Sequence, residues 1–206
     1  MDYKKTVEDA KARGLGYLSD EDWKLCKSTE QFTIEMKASK NLSCNMLRMR
    51  ITADAPLRLC QETITLIPGS RRGEWDPDVR EIKLLENVDD QTFLFYVHTN
   101  SIGKGVISPR EFVDVGRVEE SEDQVLVYGC SVDHPAIASD EKYVRGVNGC
   151  WMHRITRKDG STQVESIIES DMKGWIPSAM LNSTLPAVFG QAINNWMEFL
   201  KKEQKS

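Results

Sequence analysis

The chain of 206 residues is long enough to bury one substantial core, and its 27 Lys and Arg against 32 Asp and Glu leave a formal charge of −5. That balance argues against a binder of nucleic-acid backbones, and pairs such as Arg71-Arg72 and Lys201-Lys202 are too short to change it. No apolar run reaches the ~18–20 residues of a membrane span, no secretory leader follows Met1, and five cysteines without a Cys-x-x-Cys pair predict free thiols in the cytosol.

Residues 2–13 are charged, with Ala and Val at helical spacing, and Gly14-Leu15-Gly16 is expected to stop that helix. Trp23 then packs on the core. Apolar and polar residues alternate over 32–37 and again over 45–52, which predicts two half-buried strands. Asp54 is placed to cap a helix that opens at Pro56 and is ended by Pro68-Gly69-Ser70. A polar loop around Trp75 follows. Four strands come next, over 79–87, 92–99, 111–118 and 124–132, with Asp89-Asp90 as a tight turn and Gly129 as a bulge. A last hairpin, 143–156 with 162–171, turns at Asp159-Gly160.

From Pro177 to Lys202 the spacing predicts one amphipathic helix, roughly 39 Å long at about 1.5 Å per residue. Leu181, Leu185, Val188, Phe189, Ala192, Ile193, Trp196 and Leu200 share one face, and Pro186 predicts a bend near Leu181–Pro186, with a short lead-in turn before the main helix. Strands joined by hairpins make a meandering antiparallel sheet, so the class is α+β in a single domain over 1–206.

No catalytic signature stands out: there is no Gly-x-Ser-x-Gly, no phosphate-binding loop and no metal-ligand spacing among His98, His134 and His153. The expectation is a non-enzyme without cofactor or metal. The strand over 92–99 is apolar on both sides, with Phe93, Phe95 and Val97 against Leu94 and Tyr96, as in a sheet covered twice. The loop 100–107 is glycine-rich and apolar at its tip, which suits a lid. Asp114 shares a face with Phe112; an acid turned inward there needs a partner and becomes a binding-site candidate.

Four motifs then fall in order: Trp75-Asp76-Pro77, Pro109-Arg110-Glu111-Phe112-Val113, Tyr143-Val144-Arg145-Gly146-Val147-Asn148, and Asp171-Met172-Lys173-Gly174-Trp175-Ile176-Pro177. Together they resemble the START lipid-transfer domains related to steroidogenic acute regulatory protein, in particular their short sterol-carrying subfamily, across essentially the whole chain. The resemblance implies a helix-grip fold: a curved antiparallel sheet around the C-terminal helix, enclosing a tunnel for one lipid. It implies a monomeric cytosolic carrier of one lipid, cholesterol or another sterol foremost, that touches membranes transiently and needs no cofactor. Relatives that hold cholesterol through a buried acid–arginine pair carry those charges at the positions of Val97 and Gly116, so that pair is absent. Strand alternation offers Asp114 with Thr99 or Ser131 instead. The expected lipid-binding residues are Phe95, Val97, Thr99, Phe112, Asp114, Gly116, Ser131, Asn148, Phe189 and Ile193, with Ile102 and Lys104 as the membrane-touching lid. Arg110 is expected to be structural, paired with a carboxylate. The alternatives are a phospholipid or bile-acid carrier, an enzyme on the same architecture, or an interaction module with a filled core.

Overall fold

The computed structural model describes residues 2–102, 105–134, 137 and 140–205. The chain forms α1 (Tyr3–Ser19), β1 (Lys24–Ser28), β2 (Phe32–Ala38), β3 (Asn45–Ala53) and α2 (Leu57–Ile64). A short 3-10 turn (Arg72–Glu74) leads into β4 (Val79–Asn87), β5 (Thr92–Thr99), β6 (Arg110–Glu120) and β7 (Gln124–Ser131). The chain ends with β8 (Val144–Arg145), β9 (Val147–Lys158), β10 (Ser161–Asp171) and α3 (Ser178–Glu203).

The strands form one sheet in the order β1-β2-β3-β10-β9-β7-β6-β5-β4, antiparallel throughout, with β8 added parallel to β6. Hairpins account for most neighbours. The long-range pairing of β3 with β10 is the seam that brings the first strands to the last hairpin. Each face of the sheet has its own cover. Phe95 and Val97 join one apolar cluster with Leu185, Ile193, Trp196 and Leu200 of α3; Leu94 and Tyr96 join another with Val7, Ala10 and Leu18 of α1. The two-sided apolar pattern of β5 thus reflects two helices, one per face, and the sheet grips α3 in the helix-grip arrangement.

Several boundaries differ from expectation for physical reasons. The first helix runs through Gly14 and Gly16 to Ser19, because Gly14 is fully buried where a Cβ would lie 2.7 Å from Met152 Cε; close packing outweighs poor helix propensity. Its N-terminus is capped by Asp2, whose carboxylate accepts from Lys5 N at 3.0 Å. Asp54 caps nothing, since Pro56 occupies the N-cap of α2, and that helix ends at Ile64. Pro186 lies inside α3, which is helical from Ser178 to Glu203 without interruption. Gly129 is in regular register on both sides; the ladders shift instead at Leu25/Lys27, at Val79/Glu81 and Leu84/Glu86, and at Glu169/Ser170, where β10 shifts against β9.

Candidate functional site

Between α3 and the inner face of the sheet lies a cavity, in which the space open to a water's centre is about 160 Å³. Since roughly 10–15 Å³ houses one water, the interior is not filled by its own side chains. Met49, Ile51, Val97, Phe112 and Ile168 form much of its sheet wall, and Leu185, Val188, Phe189 and Ile193 the helix wall. Polar groups line it as well, Thr99, Asp76 and Asp78 among them, and two clusters stand out.

The first centres on Asp114, 2% exposed. Register sets Asp114 between Phe95 on β5 and Ser131 on β7, so the three share a face. Its Oδ1 accepts from Ser131 Oγ at 2.6 Å, and its Oδ2 accepts from Asn148 Nδ2 at 2.7 Å and from Trp151 Nε1 at 2.9 Å. Ser131 Oγ in turn accepts from Asn148 N at 2.8 Å, and Ser170 Oγ donates to Asn148 Oδ1 at 2.5 Å. Burial drives the Asp114 pKa up to about 6, against the three donors that favour the charged form. A carboxylate offers about four lone-pair positions. Three are filled by protein donors, which leaves acceptor capacity on Oδ1 beside the cavity.

The second place holds His153, whose Nδ1 lies 2.8 Å from Ser166 Oγ, directly across the β9–β10 ladder. Burial, with the charge of Arg72 adding to it, lowers the His153 pKa to about 3, so the ring is neutral. Arg72 is itself spoken for: Nε donates to Asp76 Oδ2 and Nη1 to the Ile64 carbonyl, each at 2.7 Å, and its guanidinium lies over the Trp75 ring.

The structure brings together on the cavity wall Val97, Thr99, Phe112, Asp114, Asn148, Phe189 and Ile193. Three other expected residues stand behind it. Gly116 pairs with Gly129, which pairs with Trp151, and a Cβ on Gly116 would lie 3.0 Å from both the Phe93 and Trp151 rings. Its role is to let Trp151 lie flat. Phe95 packs edge-on to Trp151 at a centroid distance of 6.1 Å, and Ser131 reaches the cavity only through Asp114. Ile102 is corrected from the outside to the inside: it pairs with Ile107 across the loop, is 8% exposed and lines the cavity. Lys104 lies outside the described residues. Arg110, expected against a carboxylate, instead donates to the carbonyls of Met172 (2.5 Å), Lys173 (3.2 Å) and Ser108 (2.5 Å), clasping the end of the loop before β6 to the turn before α3. Sequence reasoning missed Trp151, His153, Ser166 and Arg72; the period-two alternation of β9 carries the signal for the first two.

A family model described as START domain matches residues 3–206. StAR-related lipid transfer protein 6 of Homo sapiens is 25% identical over 98% of this chain and 93% of its own length. StAR-related lipid transfer protein 5 of Bos taurus is 24% identical over 91% of each. Among solved structures, human StAR-related lipid transfer protein 5 superposes with a TM-score of 0.92 at 22% identity over 98% of both chains.

Proposed function

Since this chain belongs to the START domain family of lipid-transfer proteins, we propose that it binds one neutral lipid, a sterol foremost, in the cavity against α3 and carries it between membranes without chemical change. The observation that carries the reading is an apolar cavity into which a hydrogen-bonded carboxylate, Asp114, presents spare acceptor capacity. Val97, Phe112, Phe189 and Ile193 hold the apolar body, worth about 25 cal/mol per Å² buried, and Asp114 with Asn148 and Thr99 orients a hydroxyl. A neutral cargo is favoured over a phospholipid or bile acid on charge. The charged residues lining the cavity are Arg72, Asp76, Asp78 and Asp114, and Arg72 is already paired with Asp76. An anionic head there meets three acids and no free cation among the described lining residues.

No helix among the described residues is long and apolar enough to cross a membrane. We place the protein in the cytosol as a monomeric single domain over 1–206, in keeping with five unpaired cysteines. Membrane contact is brief and made beside the lid. Native mass spectrometry of the protein purified from cells is expected to retain one neutral lipid per chain, and labelled cholesterol in donor vesicles to reach acceptor vesicles faster when protein is added. Protein free of lipid that neither binds nor moves any sterol would overturn the reading.

A further inference from the structure

Among the described residues, Arg110 is a buried cation without an anion. It is 1% exposed, yet its side chain donates only to the carbonyls of Met172, Lys173, Ser108 and Pro109 and to the Ser108 hydroxyl. A guanidinium is matched best by an anion that meets its planar fork with two oxygens, and carbonyl dipoles supply only part of that. The acids nearby are taken: Glu111 holds Arg145 at 2.9 Å, and Asp171 holds Lys173 at 2.8 Å. Arg110 Nη1 lies 2.7 Å from Ser108 Oγ, so an anion built on that oxygen arrives beside the guanidinium.

Ser108 has the other properties of an acceptor. It is exposed, at the end of a loop and just beyond the bridge between Ile102 and Ile107. Pro109 follows it, which favours an extended backbone at Ser108 and removes the next backbone N–H. No other serine or threonine of the chain precedes a proline.

We propose that Ser108 is a phosphorylation site for a proline-directed protein kinase, and that its phosphate pairs with Arg110 and tightens the clasp between the loop before β6 and the turn before α3. In the transfer, Ser108 Oγ bonds to the γ-phosphorus of ATP as the bond from that phosphorus to the bridging oxygen breaks. ADP leaves, and the hydroxyl proton passes to the catalytic aspartate of the kinase. Nη1 meets the new phosphate oxygens while Nε and Nη2 keep the carbonyls of Met172 and Lys173, so a charge pair is added to bonds that persist. Ile102 and Phe112, on either side of this junction in the chain, both line the cavity, and a tighter clasp there slows the exchange of cargo. That consequence rests on the carrier reading; the pairing of phosphate with Arg110 does not.

The test treats folded protein with ATP and a proline-directed kinase and locates the phosphate by mass spectrometry. Ser108 should carry it, and Ser108→Ala should remove that modification. Phosphorus-31 NMR then follows the second ionisation of the phosphoserine in folded protein and in urea. Beside Arg110 it should titrate about one pH unit or more lower in the folded chain, since an opposite charge favours the charged form. Arg110→Gln should abolish the difference; should that variant not fold, the comparison of folded with unfolded chain in the otherwise unaltered protein decides alone. Release of a fluorescent sterol to acceptor vesicles should slow about threefold or more on phosphorylation, the effect of a partly exposed ion pair. No phosphate on Ser108, equal titration in the two states, or release that is unaltered or faster overturns the inference and leaves the carrier reading intact. A protein that binds no sterol removes the carrier reading, and the titration still decides whether the phosphate pairs with Arg110.

Discussion

A carboxylate at position 114 costs stability before it binds anything, since burial disfavours its charged form even with three donors around it. The folded protein holds the proton to about pH 6, while the unfolded chain gives it up near the ordinary aspartate value of 3.8. Between these values the native state binds more protons than the unfolded one, so this group's contribution to stability is greatest below pH 4 and declines as pH rises through about 6. The full span is worth about 3 kcal/mol at ~1.36 kcal/mol per pH unit. Asp114→Asn removes the titration. Urea unfolding of both proteins should show the substitution costing at least ~1 kcal/mol less at pH 7 than at pH 4. A cost independent of pH would mean that the carboxyl is hydrated and ionises normally. The same arrangement explains how such an acid is tolerated: Ser131, Asn148 and Trp151 keep it in place, and it remains able to accept one more hydrogen bond from a guest.

At the scale of elements, the site rests on a cross-strand row in which Gly116 of β6, Gly129 of β7 and Trp151 of β9 stand side by side. The two glycines leave the trough in which the indole lies; a Cβ on Gly129 would come within 2.2 Å of the Val115 carbonyl and 2.4 Å of Trp151 Cζ2. Backbone cannot give way as a side chain can. Gly129→Ala should destabilise the protein by about 1–3 kcal/mol, the range for overpacked cores. It should also weaken sterol binding, because a lifted indole withdraws Nε1 from Asp114. Urea melts with sterol titrations would show it, and wild-type values in both would place the indole elsewhere. Much at this scale was legible beforehand: the strands 79–87 and 92–99 have the observed bounds, and α3 follows from its apolar spacing. What escaped depended on contacts far along the chain. The extension of α1 is set by Met152 pressing on Gly14, and alternation on β6 could point Asp114 inward without naming Trp151 as its donor. The shift at Glu169/Ser170, which aligns Ser170 with Asn148, has no local signal at all.

For the molecule as a whole, a buried cargo would have to leave through some part of the wall, and between the loop before β6 and the turn before α3 the wall is held by hydrogen bonds as well as by the packing of Ile107 and Met172. Arg110 ties Ser108 to Met172 and Lys173 by hydrogen bonds to carbonyls, so the two segments are held to one another through a single buried side chain. Next to that clasp Trp175 is 94% exposed, with Met180 at 44% on the first turn of α3 and Val106 at 43% on the loop. A tryptophan so exposed gains little in water, but its ring suits the boundary between lipid headgroups and acyl chains. Docking through Trp175 would set the lid and the helix start against the bilayer and exchange water for lipid where the clasp must loosen. Trp175 lies outside the cavity wall, so Trp175→Ala should leave the sterol affinity in solution as it was and slow vesicle-to-vesicle transfer several-fold, with weaker co-sedimentation on vesicles. Transfer at the unaltered rate would place docking on another face, and a matching loss of affinity in solution would instead make Trp175 part of the binding wall.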